Sequence, residues 1–529
     1  MGRRKNLYLL VLFLATAHLL YAPAWRAGWV RDVTGWIESL HTQTPTEYLL
    51  RRGRYVESLY PFTQGMLWAW WKLFGIHPLP WHLLMVSLHA GCAWGWALLY
   101  GKVLKARNTG IFAGLFFLLS PYATEVVVWE AGYHYLQGMA LMLGSLFALL
   151  RYLEGGKMRW LAVGLIAFLP TLFALEVFYL TPVYAALLVF YCRKNPRSPK
   201  AFRAFVLPML GLWVVQYGLF RLLYHQTIPH IKTLTVWRMS DYLRKPGKYF
   251  FHLFLFGRYW PVSLRLLLYD VLNSWAFLIT IYASLLTLIF RKRQALHTFV
   301  RRPAFLPVAF ALAALLLVAP LYFQESGLVD FDRYAYFMLP AVGAIVGVYF
   351  RKTGVRVAAW VLSAALLFYT NWLWRQSDAL NRDLLLQIPA FKDGKPSLLL
   401  NLPNALQNIP MVGQTAEGEA ALMRRLVLQK PLPGTVLEPS AAALSSLGDL
   451  AVETQWLSAQ TLQVTQIRGG GWWTEGVLSA DWENDAFSVR FFPEKRAYVL
   501  TLKGPAQAFH LLQWKGSRWV EIGAHGSRQ

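Results

Sequence analysis

The chain has 529 residues, of which 56% are hydrophobic and 15% are charged, and its formal net charge at pH 7 is +25. Soluble globular chains carry about a quarter charged residues, so this composition argues against an ordinary soluble protein. The basic residues cluster in short loops between apolar blocks, and this arrangement argues against a nucleic-acid-binding protein. The two cysteines, Cys92 and Cys192, give neither a disulfide framework nor a metal-binding pattern.

Apolar blocks recur along the first 375 residues, and most have the length of about 17 to 22 residues that spans a hydrocarbon core as a helix. The first block follows Met1-Gly2-Arg3-Arg4-Lys5 and has no convincing small-residue cleavage site after it. We therefore predict a retained first transmembrane helix rather than a signal peptide. In all we predict about eleven spanning helices, of which the third is short: 7–25, 80–101, 109–121, 134–152, 159–175, 177–192, 203–223, 271–290, 303–322, 334–350 and 355–373.

Every second loop between these blocks is basic, which is the pattern of cytoplasmic loops. This alternation predicts a multi-pass protein of the inner (cytoplasmic) membrane with a cytoplasmic N-terminus. Because eleven crossings are an odd number, everything after residue 374 is predicted to lie outside the cytoplasm, in the periplasm. The basic clusters lie at 102–107, 151–159, 193–203, 291–302 and 351–356.

Two long segments are predicted on the outer side, at 26–79 and 224–270. The second contains amphipathic pieces such as 249–254, which we expect to lie along the membrane interface. Beyond about residue 385 the apolar period changes to that of strands. We therefore predict a transmembrane domain at 1–375 and a soluble C-terminal domain, β-rich or mixed α/β, at 376–529.

Ionisable residues cluster at the predicted outer ends of the helices. Such residues are costly beside a bilayer and are functional candidates by default. Each also has a structural alternative, as a helix cap, an ion-pair partner or a contact to lipid phosphates. The candidates are Asp32, Glu125, Glu130, His134, Glu176, Arg258, Asp332 and Arg333.

The order of these residues and their flanking motifs over about residues 1–373 resembles the polytopic glycosyltransferases of the C superfamily (GT-C). It resembles most the membrane half of the O-mannosyltransferases that carry tetratricopeptide repeats, and their bacterial relatives. The motifs that carry the resemblance are Asp32 after the first helix, Tyr60-Pro61-Phe62-Thr63, His77-Pro78-Leu79-Pro80-Trp81-His82-Leu83 with His89, Ser120-Pro121-Tyr122-Ala123-Thr124-Glu125-Val126-Val127-Val128-Trp129, Leu175-Glu176 with Thr181-Pro182, and Asp332-Arg333-Tyr334-Ala335-Tyr336.

The resemblance implies an inverting hexosyltransferase that moves a sugar from a polyprenyl phosphate to a hydroxyl acceptor, a protein or a glycan, on the outer face. Asp32 is the expected catalytic base, and Arg333, with Arg258 second, is expected to hold the leaving phosphate. We expect no cofactor and no metal, since the lipid-linked sugar is itself the donor. Protein partners are expected to meet the C-terminal domain. The expected substrate-binding residues are Glu125, Glu130, His134, Glu176, Arg258, Asp332 and Arg333.

Several departures from the family pattern leave other functions open. The first loop has one acid, at Asp32, where many relatives have two, and the lysine before Glu176 is missing. A β-rich tail stands where tetratricopeptide repeats would follow. These departures suit a catalytically degenerate scaffold subunit of a membrane complex. A lipid-linked transporter is a further alternative, although we find no internal repeat of helices. The sequence names neither the sugar nor the acceptor.

Overall fold

The chain changes from helices to strands near residue 390, as the apolar period predicts. We call the described residues up to 375 the membrane body and those from 376 the tail. The computed structural model describes residues 3–30, 33–50, 59–225, 239–291, 298–300, 302–319, 332–350, 352–407, 409–412, 419–444, 450–469, 471–472, 481–492 and 495–523.

The membrane body is built from helices joined by short turns, and its last helix continues into the tail. In chain order the described helices are α1 (Arg3–Tyr21), α2 (Val33–Thr42), α3 (Pro45–Leu50), α4 (Pro61–Phe74), α5 (Pro78–Val103), α6 (Arg107–Leu118), α7 (Thr124–Val128), α8 (Tyr133–Gly155), α9 (Arg159–Phe168), α10 (Leu180–Tyr191), α11 (Ser198–Ala201), α12 (Leu207–Tyr224), α13 (Met239–Phe254), α14 (Val262–Asn273), α15 (Trp275–Arg291), α16 (Phe305–Val318), α17 (Leu339–Tyr349) and α18 (Thr353–Leu386).

Five apolar stretches among the described residues are long enough to cross a membrane, so the chain is a multi-pass membrane protein. They are Arg4–Ala24, Pro78–Val103, Glu130–Gly155, Ser198–Tyr224 and Thr353–Leu386. Two bent helix pairs raise the count to as many as 7 if each pair is one span. The other predicted spans coincide with apolar helices of 10–17 residues, which are short for a crossing. The number eleven therefore stays a prediction, as does the orientation of the termini.

The first of the two bends has a local cause in the sequence. Arg107–Leu118 meets Pro121–Val128 at 55°, and the residue before the proline, Ser120, is extended with φ −67° and ψ 124°. A proline disfavours helical geometry at the residue before it, so the span breaks there. The second bend, of 59°, follows Ser274, which is also extended.

One large apolar core joins most described helices of the membrane body, and Leu59, Phe220 and Tyr224 form a small separate cluster. A close helix crossing is set by Gly110 of α6, where a Cβ atom would lie 2.3 Å from the carbonyl oxygen of Ala97 in α5. Only glycine allows backbones to approach this closely, so any larger residue at 110 would push the two helices apart. Cys92 and Cys192 are both unpaired thiols.

The tail has its own apolar core, and α18 joins the two cores. Leu367 and Trp374 pack in the core of the body, whereas Leu384 and Leu385, ten residues further along the same helix, pack in the core of the tail. The predicted boundary between residues 375 and 376 thus lies inside a continuous helix, and it stays a prediction.

The tail is β-rich, and its described strands form three sheets. The strands are β1 (Ser397–Leu399), β2 (Leu402–Leu406), β3 (Ile409–Pro410), β4 (Val436–Leu437), β5 (Ala441–Leu444), β6 (Ala451–Ser458), β7 (Thr461–Arg468), β8 (Gly471–Trp472), β9 (Trp482–Glu483), β10 (Phe487–Phe492), β11 (Ala497–Leu502), β12 (His510–Trp514) and β13 (Trp519–Glu521). The sheet orders are β13-β12-β1-β4, β6-β7-β11-β10-β9 and β3-β2-β5-β8. Strand β1 runs parallel to both β4 and β12, and β2 runs parallel to β5, whereas the five-stranded sheet is antiparallel.

Candidate active site

A buried carboxylate lies at the centre of the candidate site. Asp332 opens a 3-10 turn, Asp332–Tyr334, and its side chain is 2% exposed. One carboxylate oxygen lies 2.8 Å from Nε2 of His252 on α13, and the other accepts a hydrogen bond from Arg258, in the turn Gly257–Tyr259. The side chains of His252 and Arg258 are 1% and 4% exposed. A charge buried this deeply is tolerated because it is paired and hydrogen-bonded.

The next residue makes a second ion pair in the same turn. The guanidinium of Arg333 lies 2.5 Å from one carboxylate oxygen of Glu125, and its backbone N–H donates to the other oxygen at 2.9 Å. The guanidinium carbon also lies 5.0 Å from the ring centre of Trp129 and 5.1 Å from that of Tyr334. Glu125 is in the first turn of the short helix α7, after the bend at Ser120. Asp332 and Arg333, which are adjacent in one turn, therefore each belong to a separate charge cluster.

A third carboxylate, Glu130, is fully buried at the start of the 3-10 turn that leads into α8. Nε2 of His82 lies 3.3 Å from one of its oxygens and 3.0 Å from the carbonyl oxygen of Ala27. Because the imidazole N–H points to that carbonyl, neither oxygen of Glu130 has a hydrogen-bond partner among the described residues. His82 thus ties α5 to the segment just after the first span, beside Glu130.

Tyr135 is a buried residue of α8, and the ring of its neighbour His134 lies 4.8 Å from its own ring. Glu176 accepts a hydrogen bond from Tyr60. Glu125, Glu176 and Arg333 all lie within electrostatic range of Tyr135. Glu176 is therefore in the same part of the body as the pair of Arg333 and Glu125.

The predicted catalytic base, Asp32, lies outside the described residues, and its role stays a prediction. The segment before it, 27–30, is buried. Gly28 lies against α18, since a Cβ at this position would be 2.4 Å from Oδ1 of Asp378. The indole N–H of Trp29 donates to the carbonyl oxygen of Ile76 at 2.8 Å. The chain is thus firmly packed two residues before the predicted base.

The tail reaches the cluster around Asp332. Nη2 of Arg258 donates to the backbone carbonyl of Gln407 at 3.3 Å, and the hydroxyl of Tyr369 donates to the side-chain oxygen of Gln407 at 3.0 Å. The hydroxyl of Tyr259 shares a hydrogen bond of 2.6 Å with Thr370, and burial raises the pKa of this hydroxyl. These contacts enclose one side of the site by residues of α18 and of the tail.

Sequence reasoning did not select three residues that the structure places in the site: His252, His82 and Gln407. The first two lie in segments that drew attention for other reasons, an amphipathic stretch and a family motif. A histidine in such a segment is ambiguous until its partner is known, and the partner of His252 is 80 residues away. Gln407 had no signal in the sequence, because its contact to Arg258 uses the backbone.

The site combines buried carboxylates with two arginines in surroundings from which water is largely excluded. Charges act more strongly on a bound anion or a developing charge in such surroundings than they do in water. Among the residues that the structure describes, no group of three or more His, Cys, Asp or Glu side chains has the arrangement of a metal site. Both guanidinium groups are paired with carboxylates, Arg258 with Asp332 and Arg333 with Glu125.

Comparison with known proteins gives a likeness to solved structures only. No family model matches the chain, and no curated protein matches it. Two crystal structures of ArnT from Cupriavidus metallidurans are similar at 14% sequence identity, over 80% of this chain and 89% of that chain. The TM-score is 0.35 for the structure bound to undecaprenyl phosphate and 0.36 for the apo structure. At these values the likeness carries no conclusion about this chain.

Proposed function

We propose that this protein is a membrane glycosyltransferase of the GT-C type. It transfers a hexose from a polyprenyl phosphate to a hydroxyl of a protein or glycan acceptor on the outer face of the membrane. The observation that carries the proposal is the pair of buried charge clusters on adjacent residues, Asp332 with Arg258 and Arg333 with Glu125. All four residues were selected from the sequence for this chemistry. Asp332 and Arg333 lie in one turn, and Arg258 and Glu125 are their ion-pair partners.

The proposed reaction is a single displacement with inversion at the anomeric carbon. The acceptor oxygen forms a bond to that carbon while the bond from the carbon to the phosphate oxygen breaks, and the electron pair leaves with the phosphate. Asp32 takes the proton of the acceptor hydroxyl, and Arg333 and Arg258 stabilise the charge on the leaving phosphate. Glu125, Glu130, His134, Glu176 and Asp332 bind sugar hydroxyls or orient the arginines.

The direct test uses the purified full-length protein in lipid nanodiscs with a panel of undecaprenyl-phosphate hexoses. Release of undecaprenyl phosphate, followed by mass spectrometry, reports transfer to an acceptor or to water. We expect release with at least one donor, and we expect Arg333→Ala to reduce it strongly. No release with any donor, together with no binding of undecaprenyl phosphate, would exclude the proposed donor class.

One observation favours the scaffold alternative. Both arginines that the reaction needs are already matched by carboxylates, Arg258 by Asp332 and Arg333 by Glu125. In a degenerate enzyme these ion pairs would only stabilise the fold. In that case Arg333→Ala and Glu125→Ala would lower thermal stability alike, and the wild type would bind no undecaprenyl phosphate.

The proposed orientation, with a cytoplasmic N-terminus and an extracytoplasmic tail, rests on the alternation of basic loops. A fluorescent reporter that matures only in the cytoplasm, fused after residue 529, is expected to stay dark. The same reporter fused before Met1 is the control and should fluoresce. The reverse result would move the proposed acceptor to the cytoplasmic side.

A further inference from the structure

One hairpin of the tail penetrates the membrane body beside the candidate site. Strands β2 and β3 pair antiparallel with Leu406 opposite Ile409, and Gln407 is the turn residue that directly follows β2. Leu406 packs in the core of the tail, whereas Ile409 packs in the core of the body, and each is 1% exposed. The carbonyl oxygen of Pro410 also accepts a hydrogen bond from Ser377 of α18 at 3.4 Å. The turn therefore belongs to both units.

The first residue of that turn, Gln407, makes contacts in three directions. Its backbone N–H donates to the carbonyl oxygen of Leu444 in β5 at 2.8 Å, which holds the turn to the tail sheet. Its side-chain oxygen accepts from Tyr369 of α18 at 3.0 Å. Its backbone carbonyl accepts from Nη2 of Arg258 at 3.3 Å, while Nη1 of the same guanidinium donates to Asp332. Arg258 is thus held between a carboxylate of the body and a carbonyl of the tail.

The direction of this carbonyl depends on an uncommon backbone conformation. Gln407 has φ +46°, in the left-handed region that tight hairpin turns require. Most residues with a Cβ adopt this region at a cost, and β-branched residues adopt it least readily. The conformation persists here because the N–H, the side chain and the carbonyl each have a partner. A strained residue that several contacts hold in place at a site motivates a hypothesis of function.

We propose that Gln407 is a positioning residue through which the tail sets the orientation of the Arg258 guanidinium for the lipid phosphate. This inference rests on the proposed function for the identity of the ligand, a polyprenyl phosphate. A hydrogen bond to a charged group fixes one rotamer of a long side chain, and this reduces the conformational freedom that binding must remove. The tail is then a component of the binding site, rather than a separate domain that only contacts partners.

The test compares two substitutions that both remove the side-chain amide of Gln407 and that differ in how well they tolerate a positive φ. Gln407→Gly keeps the positive φ and the carbonyl, whereas Gln407→Val disfavours that φ and should turn the carbonyl away from Arg258. The matched control is Gly516→Val, which places the same residue at φ +78° in the exposed β12–β13 turn of the tail.

The first measurement is the dissociation constant of undecaprenyl phosphate for the full-length protein, by native mass spectrometry. We expect Gln407→Val to bind about tenfold more weakly than Gln407→Gly, with Gly516→Val unchanged from the wild type. On an Arg258→Ala background the valine substitution should have no further effect. The alanine has already removed the hydrogen bond to the Gln407 carbonyl that the valine substitution would break. Equal losses on both backgrounds would show a general structural effect and would overturn the inference.

The second measurement needs no ligand. Amide hydrogen exchange in the turn Gly257–Tyr259 should be faster in Gln407→Val than in Gln407→Gly, because the guanidinium loses its tail contact. If exchange changes as expected but the wild type binds no undecaprenyl phosphate, the proposed donor fails and the positioning role of Gln407 stands. If the lipid binds and neither measurement separates valine from glycine, the positioning role fails and the proposed function stands.

A further variant covers the case in which Gln407→Val does not fold. Tyr369→Phe removes the hydrogen bond to the side chain of Gln407 and leaves the turn residue itself unchanged. We expect a loss of lipid affinity of about two- to tenfold, as for one neutral hydrogen bond. Unchanged affinity and unchanged exchange at Gly257–Tyr259 would contradict the inference.

Discussion

The membrane body holds a buried cluster of charged side chains, whereas one ion pair of the tail is open to solvent. In the body, Asp332, His252 and Arg258 are almost fully buried. Asp332 pairs with His252 and with Arg258, which lie 80 and 74 residues away from it in the sequence. In the tail, the pair of Lys503 and Glu483 is open to solvent, with side chains 43% and 71% exposed. A surface pair contributes little to stability, whereas a buried cluster costs desolvation energy that hydrophobic residues would avoid. Under the proposed function, the cluster around Asp332 orients Arg258 for the lipid phosphate, and this role would account for a burial that stability alone does not explain.

Two carboxylates of the tail are buried, and one of them contacts the body. Glu419 is 2% exposed and accepts a hydrogen bond from Thr34 of α2 at 3.2 Å. Glu438 is fully buried and accepts from the backbone N–H of Ala420 at 2.6 Å. The core of the tail contains apolar side chains of neighbouring strands, such as Val464 of β7 and Leu500 of β11. Single substitutions that each break one charged or one apolar contact test how much these contacts contribute to activity and to stability in the two units.

The largest expected effect concerns the predicted base. Asp32→Asn keeps the shape of the side chain but removes the proton acceptor, so we expect transfer to fall by roughly 10²–10⁴-fold while the protein stays folded in the membrane. Release of undecaprenyl phosphate measures the rate, and Glu38→Gln, on the neighbouring helix α2, is the control. Wild-type turnover in Asp32→Asn would move the role of base to Glu125 or Glu130.

The second prediction contrasts a buried ion pair with an exposed one. Arg258→Met leaves Asp332 buried without its cation, and we expect the free energy of unfolding to fall by roughly 3–5 kcal/mol. Lys503→Met in the tail should cause little measurable change, because its pair with Glu483 is solvated. Denaturation of both variants in bicelles measures the difference. Similar losses in the two variants would remove the contrast between the body and the tail.

The third prediction concerns the apolar core of the tail. Leu500→Ala creates a cavity at a fully buried position of β11, and we expect a loss of roughly 2–5 kcal/mol in the unfolding of the tail. Leu457→Ala is the matched control, because Leu457 is 51% exposed in β6. Near-ultraviolet circular dichroism follows tail unfolding. A loss in Leu457→Ala as large as that in Leu500→Ala would show that the described core does not carry the stability of this unit.

The smallest expected effect is a pH dependence of tail stability. Partial burial lowers the pKa of His510, but hydrogen bonds to Asp393 (2.9 Å) and Glu521 (2.7 Å) outweigh it and raise the pKa above the ordinary 6.5. The same contact to His510 lowers the pKa of Asp393 below 3.8. A raised histidine pKa contributes stability below pH 6.5 that is lost as the pH rises through the folded value, and the lowered aspartate pKa contributes above pH 3.8.

We therefore expect the melting temperature of the tail to fall as the pH rises above about 6.5, and His510→Gln to flatten this dependence. His41→Gln, at an exposed position of the body, is the control and should keep the wild-type slope. Melting curves at several pH values from about 5 to 8.5 measure the slope. An unchanged slope in His510→Gln would assign the pH dependence to other groups.

Much of the architecture was predictable because its determinants are local. Apolar blocks predicted helices in the body, and the change of period near 385 predicted the β-rich tail, which the structure confirms. The bend at Ser120 was not predicted, although Pro121 is its cause, since a single proline does not say whether a span ends or continues. The short helices Phe305–Val318 and Leu339–Tyr349 likewise show that hydropathy finds an apolar helix more reliably than a full crossing.

The sequence alone determined that a helical unit is followed by a β-rich unit. The burial of apolar side chains and the period of a helix or strand depend on neighbours along the chain. It also selected Glu125, Arg258, Asp332 and Arg333 as candidates by type and place. Only the tertiary structure decided that Arg333 meets Glu125 across 208 residues and that Gln407 meets Arg258 across 149. Such pairings depend on how helices and a tail hairpin pack in three dimensions. The separation of two residues along the sequence does not say how far apart they lie in the fold.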